Sequence, residues 1–267
     1  MAILTISRDT GSGGSEIGRL VAKTAGYRLV ERETILARVK EAGHKWDKWS
    51  EGMDEHAPRL WERYDWSYRG FVAMMQSAII DEALSNRVVI MGRGGNFLLK
   101  GVPFALRARI VAGMEARIAR VSRREDIDED SARRFIERTD RERAGFLLTA
   151  YGKDGKDPLD YDLVLDTTGV EIEPIATRII ECLSRNDLME NEQALKELQM
   201  KGLACAIKAH LFTCLPFFIP TLDVEYDGEA VCVRGIVRQP RERALVMEQA
   251  GKTAANAPLK CELQYRR

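Results

Sequence analysis

The sequence lacks an excess of charge of either sign. It contains 41 lysines and arginines and 41 aspartates and glutamates among 267 residues, so its formal net charge is zero. A protein without surplus positive charge has no global attraction for nucleic acid or for an anionic membrane surface. We therefore expect no nucleic-acid partner. Hydrophobic residues make up 45% of the chain and charged residues 31%, which indicates an ordinary globular protein rather than a disordered one.

Cysteine and histidine are scarce, and they are not arranged as metal ligands. The five cysteines form no CxxC pair, and no histidine lies at a metal-ligand spacing from them. Reduced thiols are typical of cytosolic proteins, in which disulfides rarely persist. The sequence therefore predicts a cytoplasmic location and argues against a zinc site. The cysteines are Cys182, Cys205, Cys214, Cys232 and Cys261.

Long apolar runs are also missing. The longest apolar region, residues 202–222, is interrupted by Lys208, His210 and two prolines, whereas a membrane-spanning helix needs about 20 residues that are nearly all apolar. The apolar stretch at the N-terminus is cut off by charge and is too short for a signal peptide. We expect no stable membrane insertion and interpret residues 202–222 as the core of a small domain.

Strand patterns and helix patterns alternate over the first 185 residues. A short apolar run at 2–6 leads through glycines into a helix that is expected to begin near residues 12–15 and to end by Gly26. This alternation predicts an α/β fold with a mainly parallel, doubly wound sheet. Further strands are expected at 29–30, 88–91, 106–112 and 163–165, and further helices at 33–43, 70–84, 114–124, 130–149 and 172–183.

The composition changes near residue 185. A polar helical segment at 186–199 and a helix through about Phe212 precede two β-rich runs, 222–226 and 231–237, that flank Asp227-Gly228. An Asp-Gly step between such runs is a strong hairpin signal. A helix at 242–253 and a strand at 260–265 follow. The sequence thus predicts one domain at 1–185 and a small α+β domain at 190–267.

The glycine-rich segment from Arg8 to Gly18 is the first candidate binding site. A strand that passes through glycines into a helix directs backbone N–H groups and the helix dipole towards one point, which suits a phosphate, and glycine lets the backbone approach closely. The alternative is a turn with only a structural role. The residues predicted to bind the phosphates of ATP are Thr10, Gly11, Ser12, Gly13, Gly14 and Ser15.

The loop lacks the lysine of a standard P-loop, GxxxxGK[ST], which neutralises the β- and γ-phosphates. If Gly13 is the last glycine of the motif, Gly14 occupies the lysine position and Ser15 follows it, while Arg8 occupies the first glycine position. Our hypothesis is that Arg8 supplies the missing charge from the other side of the loop. Among the protein side chains, the hydroxyl of Ser15 is the candidate metal ligand.

These residues resemble the opening of the cytidylate kinase-like family, a divergent branch of the P-loop nucleoside monophosphate kinases. That opening has the pattern I-S-R, two variable residues and G-S-G-G, which matches Ile6 to Gly14. Four later segments resemble the family in the same order, so the similarity covers about residues 1–185. They are Tyr27–Leu36, Val88–Phe97, Asp140–Arg143 and Tyr161–Thr168.

The resemblance implies a P-loop NTPase-type doubly wound parallel sheet with a helical lid. It also implies transfer of the γ-phosphoryl group of ATP to CMP or dCMP with Mg²⁺. Such transfer depends on positioning and charge neutralisation, and guanidinium groups suit phosphate oxygens. By resemblance, Arg93 grips the monophosphate, with Arg32 as a second candidate. Asp140 orients Arg143, which reaches the monophosphate or the transferring group. Arg138 and Arg141 are the remaining lid candidates.

Several alternatives stay open. Many family members carry arginine where this chain has Ser15, and related kinases carry an acidic residue where it has Met91. A nucleotide-binding regulator that has lost transfer, and a P-loop kinase for another small acceptor, are therefore the rival functions. The lid arginines can also form solvated ion pairs.

Two further features have a functional and a structural interpretation. Aromatic residues cluster in the region that would cover the monophosphate, where they either stack on a base or pack an irregular segment. The C-terminal domain weakly resembles a BON domain, which implies a regulatory ligand; packing or homo-oligomerisation is the alternative. The aromatic residues are Trp46, Trp49, Trp61, Tyr64, Trp66 and Tyr68.

Overall fold

The computed structural model describes residues 2–41, 49 and 65–266. Strands and helices alternate up to residue 186. The strands are β1 (Ile3–Arg8), β2 (Arg28–Val30), β3 (Val88–Met91), β4 (Ala105–Val111) and β5 (Leu163–Asp166). The helices are α1 (Gly14–Ala25), α2 (Arg32–Glu41), α3 (Trp66–Leu84), α4 (Gly95–Leu98), α5 (Met114–Glu125), α6 (Glu129–Tyr151) and α7 (Ile172–Asn186).

The five strands form one parallel sheet with the order β2-β3-β1-β4-β5. Strand β1 lies at the centre, where Ile6 pairs with Met91 on one side and with Ala108 on the other. Because all strands run in the same direction, their carboxyl ends meet at one edge, where open α/β sheets bind ligands. The predicted doubly wound parallel fold is confirmed.

Helices cover both faces of this sheet. On β1, Ile3 packs into a core with α3, whereas Leu4 and Ile6 pack into a second core with α1 and α7. All three side chains are fully buried. A strand that is buried on both faces has a continuous apolar sequence rather than an alternating one, which explains the run at 2–6.

Two helices differ most from the prediction. Helix α3 begins at Trp66 rather than at residue 70, because the carboxylate of Asp65 accepts the Ser67 N–H at 2.8 Å and caps the first turn. Helix α4 was not predicted; it follows Gly94, which has a φ of 75°. The last two residues of the helix expected at 33–43 lie outside the described residues.

The C-terminal region forms a second, smaller sheet with the order β6-β7-β8. Strands β6 and β7 pair antiparallel across the predicted hairpin, and β7 and β8 pair parallel through an intervening helix. This confirms a small C-terminal sheet unit, while the domain limits stay a prediction. Its elements are α8 (Glu192–Cys214), β6 (Asp223–Tyr226), β7 (Val231–Val237), α9 (Pro240–Ala254) and β8 (Leu259–Tyr265).

Helices α3 and α8 belong to both units. Helix α8 contributes Ala194 and Leu198 to the core of the large sheet and Ile207 to the core of the small one. Helix α3 contributes Ala73 to the small core, and its Trp66 lies with a ring-centroid distance of 4.4 Å from Phe212. The two cores therefore meet along these helices. No helix within the described ranges combines the length and the apolar character needed to cross a bilayer.

The described aromatic residues of the 46–68 cluster have packing roles. Trp49 lies edge-on to Tyr68 at 5.1 Å between centroids and donates to the Ser67 hydroxyl at 3.0 Å. Trp66 packs on the small core. These contacts support the packing interpretation for the three residues. Trp46, Trp61 and Tyr64 lie outside the part of the chain that the structure describes.

Gly202 permits the close approach of α8 to α3. A Cβ at this position would lie 3.0 Å from Ile80 and 3.2 Å from Leu84. We expect Gly202→Leu to overpack this contact and to cost about 1–3 kcal/mol, which lowers the Tm by several degrees in a thermal melt. Gly251 on α9 is the matched control, because a Cβ there meets nothing within 4 Å. A Gly251→Leu variant should melt no lower than the wild type, and equal melting of the two variants would contradict this account.

Candidate active site

The glycine loop connects β1 to α1 at the carboxyl edge of the large sheet. Gly11 and Gly13 have φ values of 80° and 79°, which are unfavourable for other residues. Gly11 also lies against α5, because a Cβ there would be 2.9 Å from the Arg117 carbonyl oxygen. The loop and the first turn of α1 line a cavity with Thr10, Gly11, Gly13, Gly14 and Ser15. The predicted strand, loop and helix are therefore in place around an empty volume.

Arg8 occupies the space that a side chain at position 14 would need. A Cβ built on Gly14 would lie 2.6 Å from the Cβ of Arg8 and 3.1 Å from its Cγ. A Cβ on Gly92, at the end of β3, would collide with Nη1 of Arg8. The Arg8 side chain thus begins beside Gly14 and crosses the edge of the sheet towards Gly92. The standard motif has glycine at position 8 and lysine at position 14. This loop has the reverse order, with a cation at position 8 and glycine at position 14.

Ser12 has a structural part in the loop. Its side chain is fully buried, and its hydroxyl donates to the Asp9 carbonyl oxygen at 2.9 Å. The Ser12 carbonyl oxygen in turn accepts a 2.7 Å hydrogen bond from Thr167, which follows β5 and is held by Arg120. The hydroxyl of Ser12 therefore stabilises the loop, and the contact of Ser12 with phosphate stays a prediction.

Helix α6 lies across the loop as the predicted lid. The Asp140 carboxylate accepts the Thr10 N–H at 3.0 Å, and Nη1 of Arg143 donates to the Thr10 hydroxyl at 3.1 Å. The resemblance implied that Asp140 orients Arg143. In the structure each of the two residues contacts Thr10, so the loop connects them.

Arg117 on α5 is a member of this network that the sequence did not reveal. It is buried, its Nε donates to the Thr10 carbonyl oxygen at 2.7 Å, and Nη2 pairs with Asp140. Residues 118–138 contain six further arginines, and no local pattern distinguishes Arg117 from them. Its role depends on contacts between α5, α6 and the loop, which are distant in sequence.

Asp9 and Arg109 form a second ion pair at the same edge. Nη2 of Arg109 lies 2.8 Å from Asp9 Oδ1, and Nη1 donates to the Gly155 carbonyl oxygen at 2.6 Å. Burial raises the pKa of Asp9 above its ordinary value, although Arg109 and Arg117 act in the opposite direction. These contacts give the guanidinium group of Arg109, which lies on β4, its polar partners.

The predicted arginines converge on one large cleft. Its volume is about 1870 Å³, which exceeds the roughly 300–1,000 Å³ of a pocket for one small molecule and leaves room for two ligands. The glycine loop contributes Asp9 and Ser15 to the walls. Sequence positions from four separate regions are thereby brought together. The lining residues predicted from sequence are Arg8, Ser15, Arg32, Arg93, Arg138, Asp140, Arg141 and Arg143.

Comparison with known proteins identifies the family. The model of the cytidylate kinase-like family matches residues 3–169, which is more than half of the chain. The chain belongs to the cytidylate kinase-like family. The match contains the loop, the lid and the cleft described above, and it ends before the second sheet.

Curated relatives agree with this assignment, and a solved structure shares the fold. The chain is 24% identical over 201 residues to a cytidylate kinase of Thermoplasma volcanium, covering 75% of this chain and 99% of that protein. It is 27% identical over 186 residues to a cytidylate kinase of Methanocaldococcus jannaschii, covering 65% and 92%. An uncharacterized protein from Eubacterium ventriosum superimposes with a TM-score of 0.54 at 20% identity, over 69% of this chain and 99% of that one. The last similarity shows the fold alone.

This cytidylate kinase-like chain has no acidic side chain at the end of β3. Met91 is buried there, and a Cβ on Gly18 would lie 2.6 Å from its sulfur. Met91 therefore packs against α1 and replaces the acid of related kinases with an apolar contact. Within the described residues, no group of three or more His, Cys, Asp or Glu side chains is arranged to hold a metal.

Proposed function

We propose that the protein is a nucleoside monophosphate kinase that transfers the γ-phosphoryl group of ATP to CMP or dCMP. The observation that carries this proposal is the convergence of a glycine loop and arginines from four regions on one cleft with room for two ligands. A phosphoryl-transfer enzyme needs a cradle for the donor phosphates and cations around the transferring group. A single-nucleotide binding protein would have no use for the second set of arginines.

The residues divide into three groups in this proposal. Backbone groups of Gly11, Gly13 and Gly14 hold the ATP phosphates, with Arg8 in place of the P-loop lysine. Arg143 extends from the lid to Thr10 and neutralises the transferring group. The acceptor side consists of Arg93 and Arg32, and the exposed lid residues are Arg138 and Arg141.

Mg²⁺ fits the donor set of the loop. Magnesium is usually held by one or two protein oxygens together with substrate phosphates, so a full protein cage is not required. The Ser15 hydroxyl and the Asp9 carboxylate belong to residues that line both the loop cavity and the cleft. These two residues would hold the ion, which when bound neutralises phosphate charge. We propose ATP and Mg²⁺ as the cofactors on this basis.

The test is a coupled assay of ADP production with ATP, Mg²⁺ and each nucleoside monophosphate in turn. We expect turnover with CMP and dCMP and little with the purine monophosphates. Nucleotide binding without ADP production would refute the kinase and favour a regulator that signals through the C-terminal unit. Turnover only with a non-nucleotide acceptor would favour a small-molecule kinase.

Arg93→Gln is expected to weaken acceptor binding. Loss of a charged hydrogen-bond donor to phosphate should raise the KM for CMP by about 10- to 100-fold and leave the KM for ATP within about 2-fold. Steady-state kinetics with each substrate varied gives both values. Arg178→Gln is the matched control, since Arg178 is exposed on α7. Equal effects of Arg93→Gln on the two KM values would contradict the assignment of Arg93 to the acceptor.

The C-terminal unit supports a docking or ligand-binding role as a separate proposal. Its order of helix, hairpin, helix and strand has the arrangement that suggested a BON-type domain. Cross-strand ion pairs join the central strand to both neighbours: Arg234 on β7 lies 2.6 Å from Glu262 on β8 and 3.2 Å from Glu225 on β6. A solvated charged face of this kind suits a polar ligand or a second copy of the chain. Light scattering with and without nucleotide distinguishes a homo-oligomer from a monomeric sensor.

A further inference from the structure

Arg93 sits in an unusual backbone conformation at the acceptor end of the cleft. Gly92, Arg93 and Gly94 have consecutive φ values of 71°, 55° and 75°. The left-handed region suits glycine and is uncommon for arginine. Such a conformation persists only where the surrounding structure holds it, and it is concentrated at functional sites. The residues that hold this turn therefore control where the guanidinium group of Arg93 points.

Tyr151, the last residue of α6, contacts the turn at the Arg93 carbonyl group and at Gly94. Its hydroxyl donates to the Arg93 carbonyl oxygen at 2.7 Å. Its ring fills the space beside Gly94, where any Cβ would collide with it, and lies 5.2 Å from the ring of Phe97 on α4. Burial raises the pKa of Tyr151 above its ordinary value, so the hydroxyl keeps its proton and remains a donor.

The same helix also contacts the Arg93 side chain. The guanidinium carbon of Arg93 lies 6.0 Å from the ring centroid of Phe146, which is within cation–π range. Arg93 and Phe146 both line the cleft, and among the described residues Tyr151 does not. Tyr151 therefore contacts the turn without lining the cleft itself.

Helix α6 thus fixes two parts of the site at once. Its middle holds the glycine loop through Asp140 and Arg143, and its end holds the Arg93 turn. Asp140 and Tyr151 are eleven positions apart, which is roughly 16 Å at about 1.5 Å per helical residue. Both contacts belong to one rigid element, so the helix sets the spacing between the loop and Arg93.

We propose that Tyr151 is a positioning residue that holds Arg93 ready for the acceptor phosphate and so registers the acceptor against the ATP phosphates. This inference rests on the proposed kinase function for the identity of the two ligands. Tyr151 touches neither ligand. Its effect passes through the backbone of Arg93, and it is therefore expected in acceptor binding and not in ATP binding.

The experiment compares Tyr151→Phe with Tyr226→Phe. Tyr226 is a matched control because its hydroxyl also donates to a backbone carbonyl, that of Gly228 at 2.6 Å, in the C-terminal hairpin. For Tyr151→Phe we expect the Kd and the KM for CMP to rise by about 3- to 10-fold, the effect of one neutral hydrogen bond. The KM for ATP and the Tm should stay at the wild-type values. Gly94→Ala, which pushes against the Tyr151 ring, should give a larger rise with the same selectivity.

The Kd for CMP of the wild type and of Tyr151→Phe decides whether Tyr151 positions Arg93. An unchanged Kd for CMP in Tyr151→Phe, or equal changes for CMP and ATP, would overturn the positioning role. If the wild type binds CMP without turnover and Tyr151→Phe binds it more weakly, the kinase proposal is refuted. The positioning role of Tyr151 is then retained. Failure of the wild type to bind CMP by calorimetry at millimolar concentration would overturn both.

Discussion

Placing a lysine at position 14 alone is expected to disable the protein, whereas exchanging Arg8 for glycine at the same time should restore function. In the wild type a Cβ at position 14 would lie 2.6 Å from the Cβ of Arg8. Both atoms are fixed to the backbone, so no flexible side chain can move away. Gly14→Lys must therefore displace the loop or α1. Removal of the Arg8 side chain opens the space and recreates the standard order of glycine and lysine.

The exchange also tests whether Arg8 carries the missing charge. Arg8→Ala should lower kcat/KM for ATP by about 100-fold, because a charged donor to phosphate is lost from the site. The double variant Arg8→Gly with Gly14→Lys should exceed both single variants by at least about 10-fold in kcat/KM. The measurements are steady-state kinetics, ATP affinity by calorimetry and the Tm of each variant. A fully active Gly14→Lys protein would refute the hypothesis that Arg8 replaces the P-loop lysine. A double variant no more active than the two single variants would refute it as well.

Arg143→Ala is expected to lower kcat by about 100- to 1,000-fold, which is the usual range for loss of one donor to developing charge. Arg143 reaches the loop from the lid and donates to the Thr10 hydroxyl, so it stands between the donor phosphates and the cleft. A group that acts mainly in the transition state lowers kcat and kcat/KM together. Arg143→Lys should recover only part of the loss, since lysine lacks the planar fork of donors.

The matched control for Arg143 is Arg134 on the same helix. Arg134 is exposed and bonds to the Ser131 hydroxyl at 2.9 Å. Arg134→Ala should therefore keep kcat within about 2-fold, because exposed polar contacts contribute little. A kcat of Arg143→Ala within about 3-fold of the wild type would show that its bond to Thr10 is only structural.

Much of the fold follows from local sequence. The alternation of apolar strand runs with helical patterns predicted the parallel sheet, and the Asp227-Gly228 step predicted the hairpin, because both depend on neighbouring residues. The start of α3 was predicted four residues late. The Asp65 cap that begins this helix is a local signal that was missed, whereas the contact of Trp66 with Phe212 joins residues far apart in the sequence.

The sequence predicted the individual residues of the site but not the tertiary contacts between them. Glycine spacing located the loop and showed that the lysine position holds Gly14. It could not show that Arg8 fills the space beside Gly14, because that requires the path of the backbone. Arg117 and Tyr151 were missed for a related reason. A buried arginine in a charged helix and a tyrosine at a helix end have no distinguishing sequence pattern, and their roles come from tertiary contacts.

The sharing of α3 between the two cores limits how the chain can be recombined. Arg69 on this helix donates to the Leu222 carbonyl oxygen at 3.0 Å, and Ala73 is buried in the small core. A C-terminal unit transferred to another family member would meet a different α3 and would leave its own apolar surface partly uncovered. The second unit can therefore be transferred intact only together with the helix on which it packs.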